Sequence, residues 1–97
     1  MTATVLLSGV AQPDKIDELK ALLERCLVET RAYPGFISIN IYEDIESPGS
    51  FVFYEKWETI KAYEAYLTWR TSQGIMEKIG NLLTSPPDIR YYNLLDI

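Results

Sequence analysis

Aromatic rings and one amide are the side chains of this chain best suited to bind a small molecule. The set lies in two predicted strands and the helix that follows them, and consists of Asn40, Tyr54, Trp57, Tyr63, Tyr66 and Trp69. Phenol and indole groups stack on flat ligands and keep a hydrogen-bonding group, so this set favours a pocket for a small planar aromatic molecule. Each ring could instead fill the core or a subunit interface, where aromatic residues are also enriched.

The amide of Asn40 leaves two interpretations open. Asn40 stands between Ile39 and Ile41 in a predicted strand, and a buried amide must find hydrogen-bond partners. Either Asn40 lines a pocket, or its face of the strand is wetter than its neighbours indicate.

Composition excludes several other site chemistries. The chain has no histidine and one cysteine, so structural zinc, histidine-ligated haem and histidine-based acid or base catalysis cannot come from its own residues. Its five glycines lie too far apart for a phosphate-binding loop. Asp44, Glu46, Glu55 and Glu58 could in principle pair, but the first two lie in a polar turn and are expected to be solvated. We predict a site without metal or organic cofactor.

Length and charge narrow the class of protein. With 97 residues, 47% of them hydrophobic, the chain suffices for one domain over residues 1–97, but alone it would bury only about 60–65% of its unfolded surface. We therefore expect self-association. The net charge is −5 and the basic residues are scattered, which predicts no nucleic-acid partner.

Location and redox state follow from similar arguments. Cys26 lies among apolar residues at helical spacing and is expected to be a small core residue. Residues 1–10 show no basic leader, and no apolar run reaches the roughly 18 residues of a membrane span. We predict a cytoplasmic protein that does not enter membranes.

The first half of the chain predicts a strand, a helix and a second strand. A β-branched and leucine-rich run over residues 2–10 predicts the first strand. From Pro13, apolar residues recur at helical spacing until Pro34 and Gly35 end the helix. Residues 36–43 form the next predicted strand. One of its faces carries Ile37, Ile39 and Ile41, and the other carries Phe36, Ser38, Asn40 and Tyr42.

The second half completes the pattern. A polar turn over residues 44–50 leads to a strand over residues 51–57, and Thr59 is the predicted N-cap of a second helix. Gly74 breaks or bends this helix, helical spacing resumes over residues 75–83, and a final strand covers residues 89–95. The order β-α-β-β-α-β predicts an α+β fold of the ferredoxin-like type, an antiparallel sheet with helices on one face.

The strand over residues 51–57 is apolar on both faces. Phe51, Phe53, Glu55 and Trp57 share one face, opposite Val52, Tyr54 and Lys56. The chain's own helices can cover one face, and a second subunit or a ligand must cover the other. We therefore predict a homodimer, because a two-fold dimer is the commonest closed assembly.

Three segments resemble the antibiotic biosynthesis monooxygenase domain family. The segments are Arg31-Ala32-Tyr33-Pro34-Gly35-Phe36, Phe51-Val52-Phe53-Tyr54-Glu55-Lys56-Trp57 and Ala62-Tyr63-Glu64-Ala65-Tyr66. The resemblance covers most of the chain. It implies a dimeric α+β barrel, in which the sheets of two ferredoxin-like subunits meet.

The chain also departs from the family's usual residues. Tyr33 stands where family members usually carry Glu, and Tyr66 stands where many carry His. In the haem-degrading branch that His is the iron ligand, so we do not expect haem degradation. Trp57 matches a family tryptophan that lines the substrate pocket.

The resemblance implies cofactor-free oxygenation of a quinol, an anthrone or a polycyclic phenol. Such substrates can ionise and pass an electron to dioxygen themselves. Tyr66 and Asn40 are the predicted catalytic residues: Tyr66, or else Tyr63, would bond the developing oxyanion or relay a proton, and Asn40 would orient a carbonyl. Trp57, Tyr54 and Tyr63 are the predicted substrate-binding residues. The alternative is a non-catalytic homodimer that binds a small hydrophobic molecule or assists another enzyme, and isomerase or signal-molecule processing is a third possibility.

Overall fold

The computed structural model describes residues 2–97. Met1, which belongs to the predicted domain over residues 1–97, lies outside the described residues. Within them, seven elements follow in the order β1 (Ala3–Val10), α1 (Ile16–Arg31), β2 (Phe36–Glu43), β3 (Ser50–Trp57), α2 (Ile60–Ser72), α3 (Ile75–Leu82) and β4 (Asp88–Tyr92). This order confirms the predicted α+β, ferredoxin-like arrangement, with the second helix divided into α2 and α3.

The four strands form one antiparallel sheet in the order β2-β3-β1-β4. β3 lies between β2 and β1, so its residues have neighbours on both sides. Glu55 faces Val5 of β1 and Ile39 of β2. This register places the Glu55 carboxyl in the middle of the sheet rather than at an edge.

α1 covers one face of the sheet, which we call the inner face. Its buried residues, among them Leu19, Leu23 and Cys26, recur at helical spacing. Cys26 is buried and has a free thiol, as predicted. The helix begins at Ile16 rather than at Pro13, because the backbone N–H of Lys15 first closes a turn on the carbonyl of Gln12 at 2.9 Å.

The second helical region also forms as its sequence predicts. The Oγ1 of Thr59 accepts a hydrogen bond from the backbone N–H of Ala62 at 3.0 Å, which caps α2. Gly74 adopts a left-handed conformation with φ 76° and separates α2 from α3. No helix within residues 2–97 is long and apolar enough to cross a bilayer.

β2 departs from the predicted alternation at its first residues. Phe36 faces Trp57 and Ser38 faces Lys56, so Ile37 is an extra residue between these pairs. Such a bulge reverses the direction of the residues before it. Phe36 packs against the core, while Ile37 is 44% exposed. Placing Ile37 on the same face as Ile39 and Ile41 was therefore wrong.

β4 is shorter than predicted, since it ends at Tyr92 and not at residue 95. It pairs antiparallel to β1, and Tyr92 already faces Thr4. Only Ala3 of β1 remains beyond that pair, so residues 94 and 95 would have no partner in β1. Residues 93–97 follow without strand structure.

The two faces of the sheet have different surroundings. The inner face and the helices enclose the core, whereas Val52 and Tyr54 lie on the opposite, outer face and are exposed in the single chain. The helices thus supply the first of the two predicted covers. The second cover, another subunit or a ligand, stays a prediction.

Candidate functional site

A small cavity lies between the helices and the inner face. Its volume is about 40 Å³, which holds roughly three water molecules. The apolar lining consists of Leu7, Leu23, Cys26, Leu27, Ile39, Phe53, Leu67, Ile75, Met76 and Ile79. The other lining residues are Thr30, Glu55, Tyr63, Tyr66 and Arg70. Polar chemistry in this cavity must come from those five side chains.

Glu55 is the carboxyl group of the cavity, and it is 3% exposed. Its Oε1 accepts a hydrogen bond from the indole Nε1–H of Trp57 at 3.0 Å, because residues two apart on a strand share a face. Within residues 2–97 no cationic nitrogen lies within 4 Å of this carboxyl. Burial raises the pKa of Glu55 to about 7, against the opposing effect of the Trp57 hydrogen bond. Near neutral pH both the charged and the neutral forms are therefore populated.

Trp57 lies behind the cavity rather than in its wall. The indole is fully buried and packs against other rings on several sides. Its ring neighbours are Tyr66 at a centroid distance of 5.0 Å, Phe36 at 5.5 Å, Tyr63 at 5.6 Å and Tyr33 at 6.3 Å. Because these contacts enclose the ring, Trp57 reaches the cavity through Glu55, and stacking on a ligand would require its neighbours to move.

Tyr63 enters the cavity from the first turn of α2. Its ring packs edge-on against Trp57 at 5.6 Å and against Tyr91 at 5.9 Å. Burial, and then the nearby charge of Glu55, raise the pKa of the Tyr63 phenol. The phenol therefore keeps its proton at neutral pH and can donate it in a hydrogen bond.

Tyr66 belongs to a hydrogen-bonded chain that joins α2 to α1. Its hydroxyl lies 2.7 Å from Thr30 Oγ1 and accepts a hydrogen bond from Arg70 Nε at 3.1 Å. Thr30 Oγ1 in turn donates to the carbonyl of Cys26 at 3.1 Å. With this orientation of Thr30, the Tyr66 proton points to Thr30 and the phenol oxygen keeps a lone pair for a ligand.

Arg70 is a buried guanidinium, 1% exposed, whose donors are engaged within the protein. Nη2 donates to the Cys26 carbonyl at 2.6 Å and to Thr30 Oγ1 at 3.2 Å. Nη1 donates to Gln73 at 3.2 Å and to Glu29, a largely exposed carboxylate, at 3.5 Å. Arg70 thus stabilises the contact of α2 with α1 and supports Tyr66, rather than offering free N–H groups to a ligand.

A surface groove of about 350 Å³ lies on the other side of Arg70, between α1 and α3. Cys26, Arg70 and Ile75 line both the groove and the cavity. These three residues therefore form the partition between the enclosed space and solvent.

The sheet divides the predicted site residues into two groups. Trp57, Tyr63 and Tyr66 come together on the inner side. Asn40 and Tyr54 face each other across β2 and β3 on the outer face, and both are exposed. Lys56 lies 5.9 Å from the centre of the Tyr54 ring. Of the two interpretations of Asn40, the exposure in the single chain favours the second, in which its face of the strand is in contact with water.

Comparison with known proteins settles the family. Residues 3–78 match the model of the antibiotic biosynthesis monooxygenase family. The chain belongs to this family. Within residues 2–97 no group of three or more His, Cys, Asp or Glu side chains is placed to hold a metal ion.

Relatives of this monooxygenase family member come from several bacteria. An uncharacterised protein of Synechocystis is 32% identical over 85 residues, which are 88% of this chain. The chain spans 58% of that relative's length. Rv0793 from Mycobacterium tuberculosis is 27% identical with a TM-score of 0.82, covering 100% of this chain and 98% of its own.

A further structural neighbour is a variant of SnoaB, a cofactor-independent oxygenase from Streptomyces nogalater. It has a TM-score of 0.85 and 14% identity, and the match covers 99% of this chain and 95% of SnoaB. At that identity the likeness shows the shared fold alone.

Sequence reasoning missed three polar residues of this family member's cavity. Glu55 could have been chosen because it alternates with Phe53 and Trp57, on the face that the helices cover. Arg70 follows Tyr66 by four residues and Thr30 follows Cys26 by four, so each lies on the buried stripe of its helix. Nothing in the sequence, however, indicates that Arg70 reaches from α2 to a carbonyl of α1.

Proposed function

We propose that this chain is a monooxygenase that needs no metal or organic cofactor and oxidises a small phenol or quinol in the inner cavity. Family membership supports the reaction class. The observation that carries the proposal is an enclosed, mainly apolar cavity into which one carboxyl and two phenols project. Such a site binds a flat ring, holds its ionisable oxygen and excludes water.

The reaction balances without an external reductant. One quinol and one dioxygen give one hydroxylated quinone and one water, and the quinol supplies the electrons. The substrate first loses a proton, and the resulting anion then passes an electron to dioxygen. The protein contributes binding, placement of the hydroxyl and stabilisation of the anion. In this proposal Tyr63 donates a hydrogen bond to a substrate oxygen, and Tyr66 accepts one from a substrate hydroxyl or relays its proton.

The cavity must enlarge to admit a ring. Its volume is about 40 Å³, whereas a cavity of about 150 Å³ is known to hold benzene. Ile75 and Met76 line the cavity directly after Gly74, and Ile75 also borders the outer groove. Displacement of these side chains would join the two spaces. Single-ring quinols require the smallest displacement, so we place them ahead of anthrones and polycyclic phenols.

The outer face supports the homodimer as part of the same proposal. Tyr42, Val52 and Tyr54 expose apolar area there, and two copies of one face can meet about a two-fold axis. Asn40 and Tyr54 would then lie between the two sheets and not in the inner cavity. Light scattering at micromolar concentration tests this assembly, and a monomer alone would contradict it.

Oxygen uptake tests the enzymatic proposal. Protein treated with chelator should consume dioxygen in proportion to a single-ring quinol, and more slowly with an anthrone. Tyr66→Phe should reduce the rate, because the phenol oxygen is lost from the cavity. Tyr42→Phe, which changes an exposed phenol of the outer face, is the matched control. Uptake equal to that of heat-denatured protein across the panel would contradict the function.

A non-catalytic binding protein is the second candidate, and the absence of histidine from the sequence is the observation that favours it. A phenol that raises the melting temperature and is recovered unchanged under oxygen would favour binding. Consumption of the same phenol would favour the enzyme.

A further inference from the structure

The Glu55 carboxyl has one oxygen held by the protein and one left to the cavity. Oε1 accepts a hydrogen bond from the Trp57 indole at 3.0 Å. Within residues 2–97, the Glu55 side chain makes no other hydrogen bond. Those residues contain no side-chain oxygen that is both buried and without a partner. The second oxygen, Oε2, has no hydrogen-bond partner among those residues and is therefore not completely enclosed. Because Glu55 lines the cavity, Oε2 borders that space. The indole therefore fixes the carboxyl and leaves one acceptor facing any ligand.

The groups around Glu55 leave its charge uncompensated. Besides Glu55, four of the lining residues are titratable or charged, namely Cys26 from α1 and Tyr63, Tyr66 and Arg70 from α2. The lining residues of β1, β2 and α3 are apolar. Arg70 directs its donors to Cys26, Thr30, Tyr66, Gln73 and Glu29, and lies beyond ion-pair distance from Glu55.

Burial without a cation makes the charged form of a carboxyl less favourable than it is in water. Accepting a proton from a ligand would remove that cost. Burial accordingly raises the pKa of Glu55 to about 7, into the range in which a general base works well at neutral pH.

We propose that Glu55 is the catalytic base of this cavity, whose free oxygen takes the proton of a hydroxyl on a bound phenol or quinol. The O–H bond breaks, its electron pair stays on the substrate oxygen, and the carboxyl becomes neutral. This inference rests on the proposed function for the later steps. There the anion gives one electron to dioxygen, and the resulting radical pair forms a C–O bond at a ring carbon, which gives a peroxide. Glu55 returns its proton to the outer peroxide oxygen, and the ring carbon that bears the peroxide loses its C–H proton as the O–O bond breaks. The outer oxygen leaves with these two protons as water, and a C=O bond forms at that carbon.

A proton acceptor at Glu55 restricts the class of substrate. A ligand must carry an ionisable hydroxyl that can reach the centre of the sheet, so a quinol should react and its dimethyl ether should not. Trp57 acts in this scheme as a positioning residue, because it holds the carboxyl and has no access to the ligand.

The ionisation of Glu55 can be measured without turnover. Trp69→Phe leaves Trp57 as the one indole of the chain. The fluorescence emission of Trp57 should then change with a midpoint near pH 7, because its indole N–H donates a hydrogen bond to the Glu55 carboxyl. Adding Glu55→Gln should abolish the change. Adding Glu58→Gln, which alters an exposed carboxylate, should preserve it. A pH-independent emission in the Trp69→Phe protein would overturn the inference.

A chromogenic nitrophenol, whose anion absorbs visible light, tests proton transfer separately from oxygenation. Wild-type protein at pH 7.5, a value chosen to ionise Glu55, should bind the nitrophenol as its anion, whereas Glu55→Gln should bind the neutral form. Equal anion fractions in both proteins would overturn the base role. Anion formation in wild-type protein that oxidises no quinol would contradict the proposed function and leave the base role standing.

Turnover completes the test. Glu55→Gln should lower kcat by about 10²–10⁴-fold with a smaller change in KM. The wild-type kcat should rise with pH through about 7, and Glu55→Gln should lose that rise. Glu55→Asp should restore part of the rate. Unchanged kcat in Glu55→Gln would overturn the inference while the monooxygenase function stands.

Discussion

The two faces of β3 carry comparable side chains in very different surroundings. On the inner face, Glu55 and Trp57 form a buried hydrogen bond of 3.0 Å. On the outer face, Lys56 lies 5.9 Å from the Tyr54 ring, and both residues are exposed in the single chain. A polar group next to an aromatic ring is thus found twice on the same strand. Only the inner pair is shielded from water.

This difference shows what the helical cover does to side-chain chemistry. Water screens charges and supplies hydrogen bonds at the outer face, so Lys56 and Tyr54 need no internal partners. Removal of water at the inner face raises the pKa of Glu55 by burial. The helical cover is therefore what raises the pKa of Glu55, whereas the register of the sheet determines where the carboxyl lies.

The largest expected effect compares the two aromatic residues of β3. Trp57→Ala should lower the free energy of unfolding by about 3–5 kcal/mol, because it removes a fully buried ring from a packed cluster. Tyr54→Ala should change it by about 0.5 kcal/mol or less, because the ring is 38% exposed. Urea denaturation at low protein concentration measures both values. A loss above about 2 kcal/mol for Tyr54→Ala would mean that the outer face is covered in solution.

The sequence predicts which residues of β3 face the core, but it does not predict the contacts between distant elements that shape the cavity. Alternation assigns Phe51, Phe53, Glu55 and Trp57 to one face, and all four are buried. Alternation fails at Phe36, because a bulge depends on pairing with a distant strand and leaves no local signal. Arg70 was missed for a similar reason, since its partners lie about 40 residues away on α1. Local periodicity thus gives the faces, while contacts between elements determine the cavity.

A second prediction uses pH to compare the buried carboxyl of Glu55 with the exposed carboxyl of Glu58. Burial raises the pKa of Glu55 to about 7 in the folded protein, from the ordinary glutamate value of 4.5. Between these values the folded state keeps a proton that the unfolded state releases, so stability falls as pH rises, by about 1.4 kcal/mol per pH unit. The total loss is about 3 kcal/mol, complete above pH 7 and absent below pH 4.5.

Glu55→Gln should remove this dependence. The difference in unfolding free energy between Glu55→Gln and wild type should therefore favour the variant increasingly from pH 4.5 to 7. Glu58→Gln, at an exposed position, is the matched control and should follow the wild-type curve. A constant difference between Glu55→Gln and wild type would show that Glu55 is hydrated in the folded protein.

A third prediction compares two arginines. Arg70→Met should lower the free energy of unfolding by about 2 kcal/mol, because Thr30 and the Cys26 carbonyl lose charged donors inside the protein. Arg90→Met removes an exposed ion pair with Asp88, whose N–O distance is 2.7 Å, and should produce no measurable change. Equal effects would mean that the short Arg90 contact contributes as much as the buried network. Thermal denaturation of both variants at one protein concentration provides the measurement.

The smallest expected effect concerns the helical cover itself, at two glycines six residues apart. Gly74 has φ 76°, and a Cβ there meets no atom within 4 Å, so Gly74→Ala should destabilise by about 1 kcal/mol through backbone strain alone. Gly80 lies inside α3 with open space around it, so Gly80→Ala should stabilise by about 0.5–1 kcal/mol. The same substitution thus has opposite signs, and urea denaturation can separate them. If both variants are stabilised, the junction of α2 and α3 is not left-handed in solution. The displacement of Ile75 and Met76 that we propose for ligand binding would then have to start from a continuous helix, whose backbone hydrogen bonds resist it.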